Sequence, residues 1–168
     1  MALIDKPLNL IAEQDLLDLI SNQVREDKRI EFKLTLPGNS DKEKKEFLAD
    51  ISSFANASGG DLIFGMKAQA GLPSNLVGLQ LASLDAEILR LENILRDGLD
   101  PRIPNVGIQG VTLKSASALV IRVPRSWIPP HRVKYGGTSR FYSRNSAGKY
   151  ELDVSEMRPL FCLVVLRD

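Results

Sequence analysis

Apolar residues recur along this chain with two different periods, and the switches between them mark its elements. Between Asn9 and Val24, Leu16, Leu19, Ile20 and Val24 fall at helical spacing, which predicts a first amphipathic helix. From Arg29 to Leu36 the period drops to two, with Ile30, Phe32, Leu34 and Leu36 alternating against Glu31, Lys33 and Thr35. That alternation predicts a half-buried strand whose polar face points outward, ended by Pro37-Gly38-Asn39-Ser40. A second helix is expected over 41–56, with Phe47, Leu48, Ile51, Phe54 and Ala55 on one stripe and a charged, exposed start at Asp41–Glu46. Ser58-Gly59-Gly60 supplies its C-terminal cap, and Asp61–Met66 follows as a short, mostly buried strand. Residues 71–78 read as a loop. Ser83 then caps a third helix, striped by Leu84, Ile88, Leu91 and Leu95.

Beyond residue 100 the pattern becomes strand-like. Residues 106–113 and 118–124 read as neighbouring strands, and 131–137 and 138–145 as a second pair joined at Gly136-Gly137. Residues 151–165 close the chain as a helix or an apolar tail. No repeat or low-complexity linker interrupts this order. The expectation is therefore one α+β domain over 1–168 (core about 13–160), with a mixed, mostly antiparallel sheet flanked by helices.

Composition narrows the class. A chain of 168 residues that is 43% hydrophobic suits one real core, and 26% charged residues argue against wholesale disorder. No apolar run approaches the roughly 18 residues of a membrane span, and the N-terminus lacks the pattern of a signal peptide. The single cysteine, Cys162, can form no internal disulfide, and its apolar surroundings disfavour a reactive thiolate. A cytoplasmic location, away from membranes, is the expectation.

Charge changes the picture more. Residues 101–150 hold nine Lys or Arg and no Asp or Glu, leaving 13 basic and 21 acidic residues elsewhere. A segment of one sign attracts polyanions, unless its cations pair with the acidic half inside the fold. Cations are also interleaved with aromatic residues here: Trp127, Tyr135, Phe141, Tyr142 and Tyr150 all lie in this half. In 140–144, Arg140, Tyr142 and Arg144 share one strand face with Phe141 turned to the core, and Arg132 and Lys134 share a face of the partner strand. Such faces hold phosphates and stack on bases; the alternative is a charged edge hairpin kept soluble by its cations. The candidate contacts are Lys33, Arg122, Arg125, Arg132, Lys134, Arg140, Tyr142 and Arg144.

Other chemistries fall away. Gly60-x4-Gly65 is followed by Met66, where a phosphate-cradling loop needs lysine. One Cys and one His make no structural zinc site. His131 reads as a strand-start or surface residue. Glu26 and Glu31, five apart, remain as a pair able to hold Mg²⁺ or Mn²⁺ beside a phosphate backbone; the bland reading is two solvated or locally paired carboxylates.

The segments VREDKRIEFK, SFANASGG, RVPRSWIPPHRV and RFYSRNSAGKY together resemble the Schlafen AlbA-like domain over roughly residues 13–160. That resemblance implies a mixed sheet with flanking helices and a nucleic-acid-binding role. As in some animal members, it also implies a metal-dependent endoribonuclease acting on structured RNA such as tRNA. Those nucleases use two glutamates five apart, matched here by Glu26 and Glu31 as catalytic metal ligands, and an aspartate after the buried strand. Lys67 and Ala68 stand where that aspartate belongs. Three readings stay open: a module binding tRNA, single-stranded or duplex DNA; a metal-dependent endoribonuclease; and an interaction or sensor module of a larger regulator. Docking of the basic half on the acidic half would also favour a homodimer.

Overall fold

The computed structural model describes residues 1–165, so the last three positions of the expected 1–168 domain lie outside the described residues. Two short 3-10 turns precede α1 (Glu13–Ser21), β1 (Ile30–Lys33) and α2 (Asp41–Ala55). Next come β2 (Gly60–Phe64), β3 (Met66–Gln69), β4 (Leu72–Leu76), α3 (Leu84–Gly98) and β5 (Leu99–Asp100). The second half supplies β6 (Gly107–Thr112), β7 (Ser117–Val123), β8 (Arg132–Tyr135), β9 (Thr138–Asn145), β10 (Gly148–Glu151) and α4 (Val154–Val165). Among the described residues no helix is long and apolar enough to cross a membrane.

The strands form two four-stranded sheets, ordered β1-β2-β7-β6 and β10-β9-β8-β5, plus the ribbon β3-β4. Among the described residues only the β1–β2 pairing is parallel. The expected α+β class with a mostly antiparallel sheet is what the chain adopts. The differences are local: β1 ends at Lys33 rather than running on to Leu36, and the two-residue β5 is unexpected. Residues 71–78, expected as a loop, contain β4, because Gly65 (φ +94°) turns the chain out of β2 and lets β3 pair with β4. The turn in RFYSRNSAGKY joins β9 to the unexpected strand β10.

Strand alternation divides the first sheet between two cores. Leu62, Phe64, Leu119, Ile121 and Val123 face α2 and α3, packing with Phe47, Leu48, Ile51, Phe54 and Leu91. Ile30, Phe32, Ile63, Ala118 and Val120 face the other way, onto Leu16 and Leu19 of α1. Helix α2 lies between the first sheet and the inner face of the second, where Val133 and Leu99 join its cluster. Burying that many large apolar side chains, each worth about 1.5–3 kcal/mol, supplies most of the drive to fold.

The Ser58-Gly59-Gly60 cap shows why glycine is required. Gly59 (φ +71°) donates its N–H to the Phe54 carbonyl at 2.8 Å. A Cβ on Gly60 would sit 2.4 Å from the Arg29 carbonyl oxygen, inside the approach of β1 to β2.

Candidate nucleic-acid interface

Because Ile30 and Phe32 face α1, Glu31 and Lys33 must face α2. The polar face of β1, expected to point outward, is therefore folded under α2 and the β9–β10 hairpin. Arg144 reaches it from β9: its Nη2 donates to Glu31 Oε2 at 2.6 Å and its Nη1 to Ser53 Oγ at 3.2 Å. The guanidinium lies over the Phe54 ring at 4.0 Å, and Arg144 is only 6% exposed. Lys33 Nζ bridges Glu31 at 2.9 Å and Asp50 at 3.3 Å. Lys149, from β10, donates to Asp50 at 2.7 Å and also to Glu46.

Glu31, Lys33, Glu46, Arg144 and Lys149 line part of a cleft of about 470 Å³, which Arg25, Glu26 and the 146–148 turn also line. Burial pushes the Glu31 carboxyl up, but Arg144 and Lys33 more than reverse this and hold it below the usual carboxylate range. Asp50 goes the other way: burial and the Glu31 charge raise it, and Lys149 and Lys33 do not bring it back. Burial acts to lower Lys33, yet Asp50 and Glu31 leave it raised. Lys149 is raised by Asp50 and Glu46 against the same burial.

The pair Glu26 and Glu31 does not fit a divalent cation. Both oxygens of Glu31 are taken by protein cations, and Glu26 Oε1 accepts the Phe32 N–H at 2.8 Å. Asp61 lies on the opposite face of the sheet, held by Arg122 at 2.8 and 2.9 Å. Among the described residues no group of three or more His, Cys, Asp or Glu is placed to hold a metal. Lys67, where the resemblance to the nucleases implies a third acid, is exposed on β3.

The acid-free half therefore divides. Arg122, Arg132, Arg140, Arg144 and Lys149 pair with acids from other elements: Asp61, Asp100, Glu151, Glu31, and Glu46 with Asp50. Arg102, Lys114, Arg125 and Lys134 are exposed, with no ion pair among the described residues.

The expected phosphate contacts that the fold turns inward are Arg122, which clamps Asp61, and Arg144 and Tyr142. Arg144 is internal, because its strand face meets α2 rather than water. Tyr142, on that same face, packs partly buried against the α2 core and its carbonyl accepts from Asn56 Nδ2 at 2.8 Å. Phe141 sits on the other face, its ring 6.2 Å from that of Phe161 on α4. Arg140 keeps the expected exposure, pairing with Glu151 at 2.9 Å at the surface.

The fold also places cations that sequence reading left aside. Lys44 Nζ lies 5.7 Å from the centre of the Tyr135 ring, and Lys45 Nζ donates to the Gly136 carbonyl at 3.2 Å. Together with Lys134 they surround the β8–β9 turn. The signal was present in Asp41–Glu46, but a helix start and a hairpin some 90 residues later carry no local mark of adjacency.

His131 is not a surface residue. It is fully buried, its Nδ1–H donating to the Pro101 carbonyl at 2.6 Å and its Nε2 accepting from Ser126 Oγ. Asn56 brackets its backbone, accepting from its N–H at 2.7 Å and donating to its carbonyl at 2.9 Å. The asparagine of SFANASGG thus ties the end of α2 to β8 and β9. Cys162 is exposed on α4.

The family described as Schlafen, AlbA_2 matches residues 26–153 of this chain. Two solved structures share the fold. One is the N-terminal domain of a Nitrosomonas europaea protein named for its relation to the RecG ATP-dependent DNA helicase: 25% identity, TM-score 0.56, covering 81% of this chain and 89% of that one. The other is the DIP2311 protein of Corynebacterium diphtheriae, 14% identical with a TM-score of 0.55 over 82% of this chain. This chain spans 29% of the length of DIP2311. No curated protein sequence matches it.

Proposed function

The chain belongs to the Schlafen AlbA_2 family, and from that premise we propose that it is a nucleic-acid-binding module working through phosphate contacts. The observation that carries this reading is the group of unpaired cations at the β8–β9 turn. Lys44, Lys45 and Lys134 converge there from two elements, with Asp41 as the neighbouring acid. Arg125, exposed and without an ion pair, is a further contributor along the same half, and Arg132 and Arg140 join it only by exchanging their surface partners Asp100 and Glu151 for phosphate. Arg122 and Arg144 do not, since their charges are spent inside the fold. The relation of the Nitrosomonas europaea protein to a DNA helicase favours DNA among the possible polyanions.

Binding of this kind weakens with salt, because each phosphate contact releases counterions. The test is fluorescence anisotropy with labelled tRNA and with single-stranded and duplex DNA across a salt series. Replacing Lys44, Lys45 and Lys134 together by alanine should reduce the log–log salt slope by about 3, near one per lost phosphate contact. A control carrying Lys28→Ala and Arg96→Ala should leave it unchanged. Equal slopes for the triple variant and the wild type refute this placement, and no binding to any probe refutes the reading itself.

A further inference from the structure

The outer face of the second sheet, turned away from α2, brings cations next to an exposed aromatic ring. Val133, Tyr142 and Arg144 point to the α2 side, so alternation places Arg132, Lys134, Ser139 and Phe141 on the opposite face. Arg132 lies directly across from Phe141, and Lys134 across from Ser139. Arg132 is fixed there by Asp100 at 2.7 and 3.0 Å and by Ser139 Oγ at 3.0 Å, while Lys134 is exposed.

Helix α4 borders this face. Its Leu160 and Leu163 line a narrow gap with Ala57 and Pro129, and this contact docks the helix. Phe161 is turned elsewhere: its ring stands edge-on to Phe141 at 6.2 Å, with an interplanar angle of 73°, and the residue stays 56% exposed. Arg158, three residues earlier and so a neighbour of Phe161 on the helix surface, is exposed and makes no ion pair among the described residues. The acid of this helix, Glu156, accepts from the Asp153 N–H at 2.9 Å in the first turn. Phe161 thus offers an open apolar ring beside Arg158 and one ring away from Arg132.

We propose that this face takes unpaired DNA, with a base stacked on Phe161 and the flanking phosphates met by Arg158 and Lys134. This rests on the nucleic-acid-binding reading and names the form of its ligand. A base inside a duplex is already stacked on its neighbours, whereas an unpaired base has a free π-face to lay on an aromatic side chain. Arg132 supplies a second planar surface, its guanidinium held in place by Asp100 and Ser139. Every base has a π-face, so the contact is independent of sequence.

The experiment is an anisotropy titration of the full chain with labelled oligothymidine and with a labelled DNA duplex. Phe161→Leu keeps an apolar side chain against Phe141 but removes the ring. It should weaken oligothymidine binding by about tenfold, roughly 1.4 kcal/mol and within the range for one stacked base. Phe161→Trp keeps a stacking ring and should bind at least as tightly as the wild type. Arg158→Ala should lower the log–log salt slope for oligothymidine by about 0.7, one phosphate contact on a single strand. Affinity for the duplex should be the same in Phe161→Leu and the wild type. Unchanged oligothymidine binding in Phe161→Leu, an equal loss in Phe161→Trp, or an equal loss on the duplex overturns the stacking assignment while leaving nucleic-acid binding standing. Failure of every probe to bind overturns both.

Discussion

Replacing Glu31 should cost more stability than replacing Arg144, although the two form one ion pair. In Arg144→Met, Glu31 keeps its 2.9 Å bond to Lys33 and its side chain retains 17% exposure, so the carboxylate is not orphaned. Breaking a buried pair costs about 3–5 kcal/mol when the survivor is left uncompensated. Here the remaining lysine brings the expected cost down to roughly 2–3 kcal/mol. In Glu31→Gln the guanidinium stays buried with only Ser53 at 3.2 Å, the face of Phe54 and an amide oxygen, while its Nε has no partner at all. The full range of about 3–5 kcal/mol is then expected. For a domain of this size that lowers Tm by about 6–20 °C. Urea denaturation of both single variants and the double variant gives the ordering, and the pair should couple by about 1–3 kcal/mol. Anisotropy with duplex DNA should show no change for Arg144→Met below its Tm, because that charge does not reach the ligand. Millimolar Mg²⁺ or Mn²⁺ should not raise the wild-type Tm, since a bound ion would stabilise the folded state. An Arg144→Met cost above that of Glu31→Gln, or a metal-dependent rise in Tm lost in Glu31→Gln, refutes the reasoning.

Two further outcomes follow from buried charge. Burial holds the His131 imidazole below its ordinary pKa, only partly offset by the Pro101 carbonyl. The unfolded chain therefore binds a proton near pH 6.5 that the folded chain refuses, so this contribution to stability is complete above that pH and is lost on acidification through it. Tm measured from pH 8 to pH 5 should fall below about pH 6.5, and His131→Gln should flatten that part of the profile. Arg122 clamps buried Asp61 and also donates to the carbonyls of Leu3 and Lys6. Arg122→Met should cost about 3–5 kcal/mol by stranding Asp61, and limited proteolysis should cut ahead of α1 sooner than in the wild type.

Most of the fold could be read from hydrophobic period. The stripe of α2 and the glycine cap after it rest on neighbours within a few residues and formed near their expected bounds, whereas β1 kept its alternation only over Ile30–Lys33 and left Leu34 exposed. β4 escaped notice because Leu72-Pro73-Ser74-Asn75-Leu76 has the composition of a loop, and its pairing is decided by Gly65 and β3 rather than by its own pattern. β10 was hidden for the same reason: Gly148-Lys149-Tyr150-Glu151 is a strand only because β9 offers it an edge.

The site was less legible, and Glu31 shows why. Alternation correctly placed Glu31 and Lys33 on one face of β1, but alternation says only which residues share a face, not whether water or another layer covers it. Here that layer is α2 with the β9–β10 hairpin, assembled from residues up to 113 positions away. Once it is in place, a carboxylate that resembled a metal ligand becomes the anchor of Arg144. The same step removes Arg144 and Lys149 from the apparent basic surface. A net charge counted along the sequence therefore overstates the field of residues 101–150, since five of its nine cations are neutralised at close range. Lysines from the acidic half, Lys44 and Lys45, restore positive charge at the hairpin tip. What decides where a polyanion meets this protein is thus which cations the fold leaves unpaired, and at the β8–β9 turn they come from both halves of the chain.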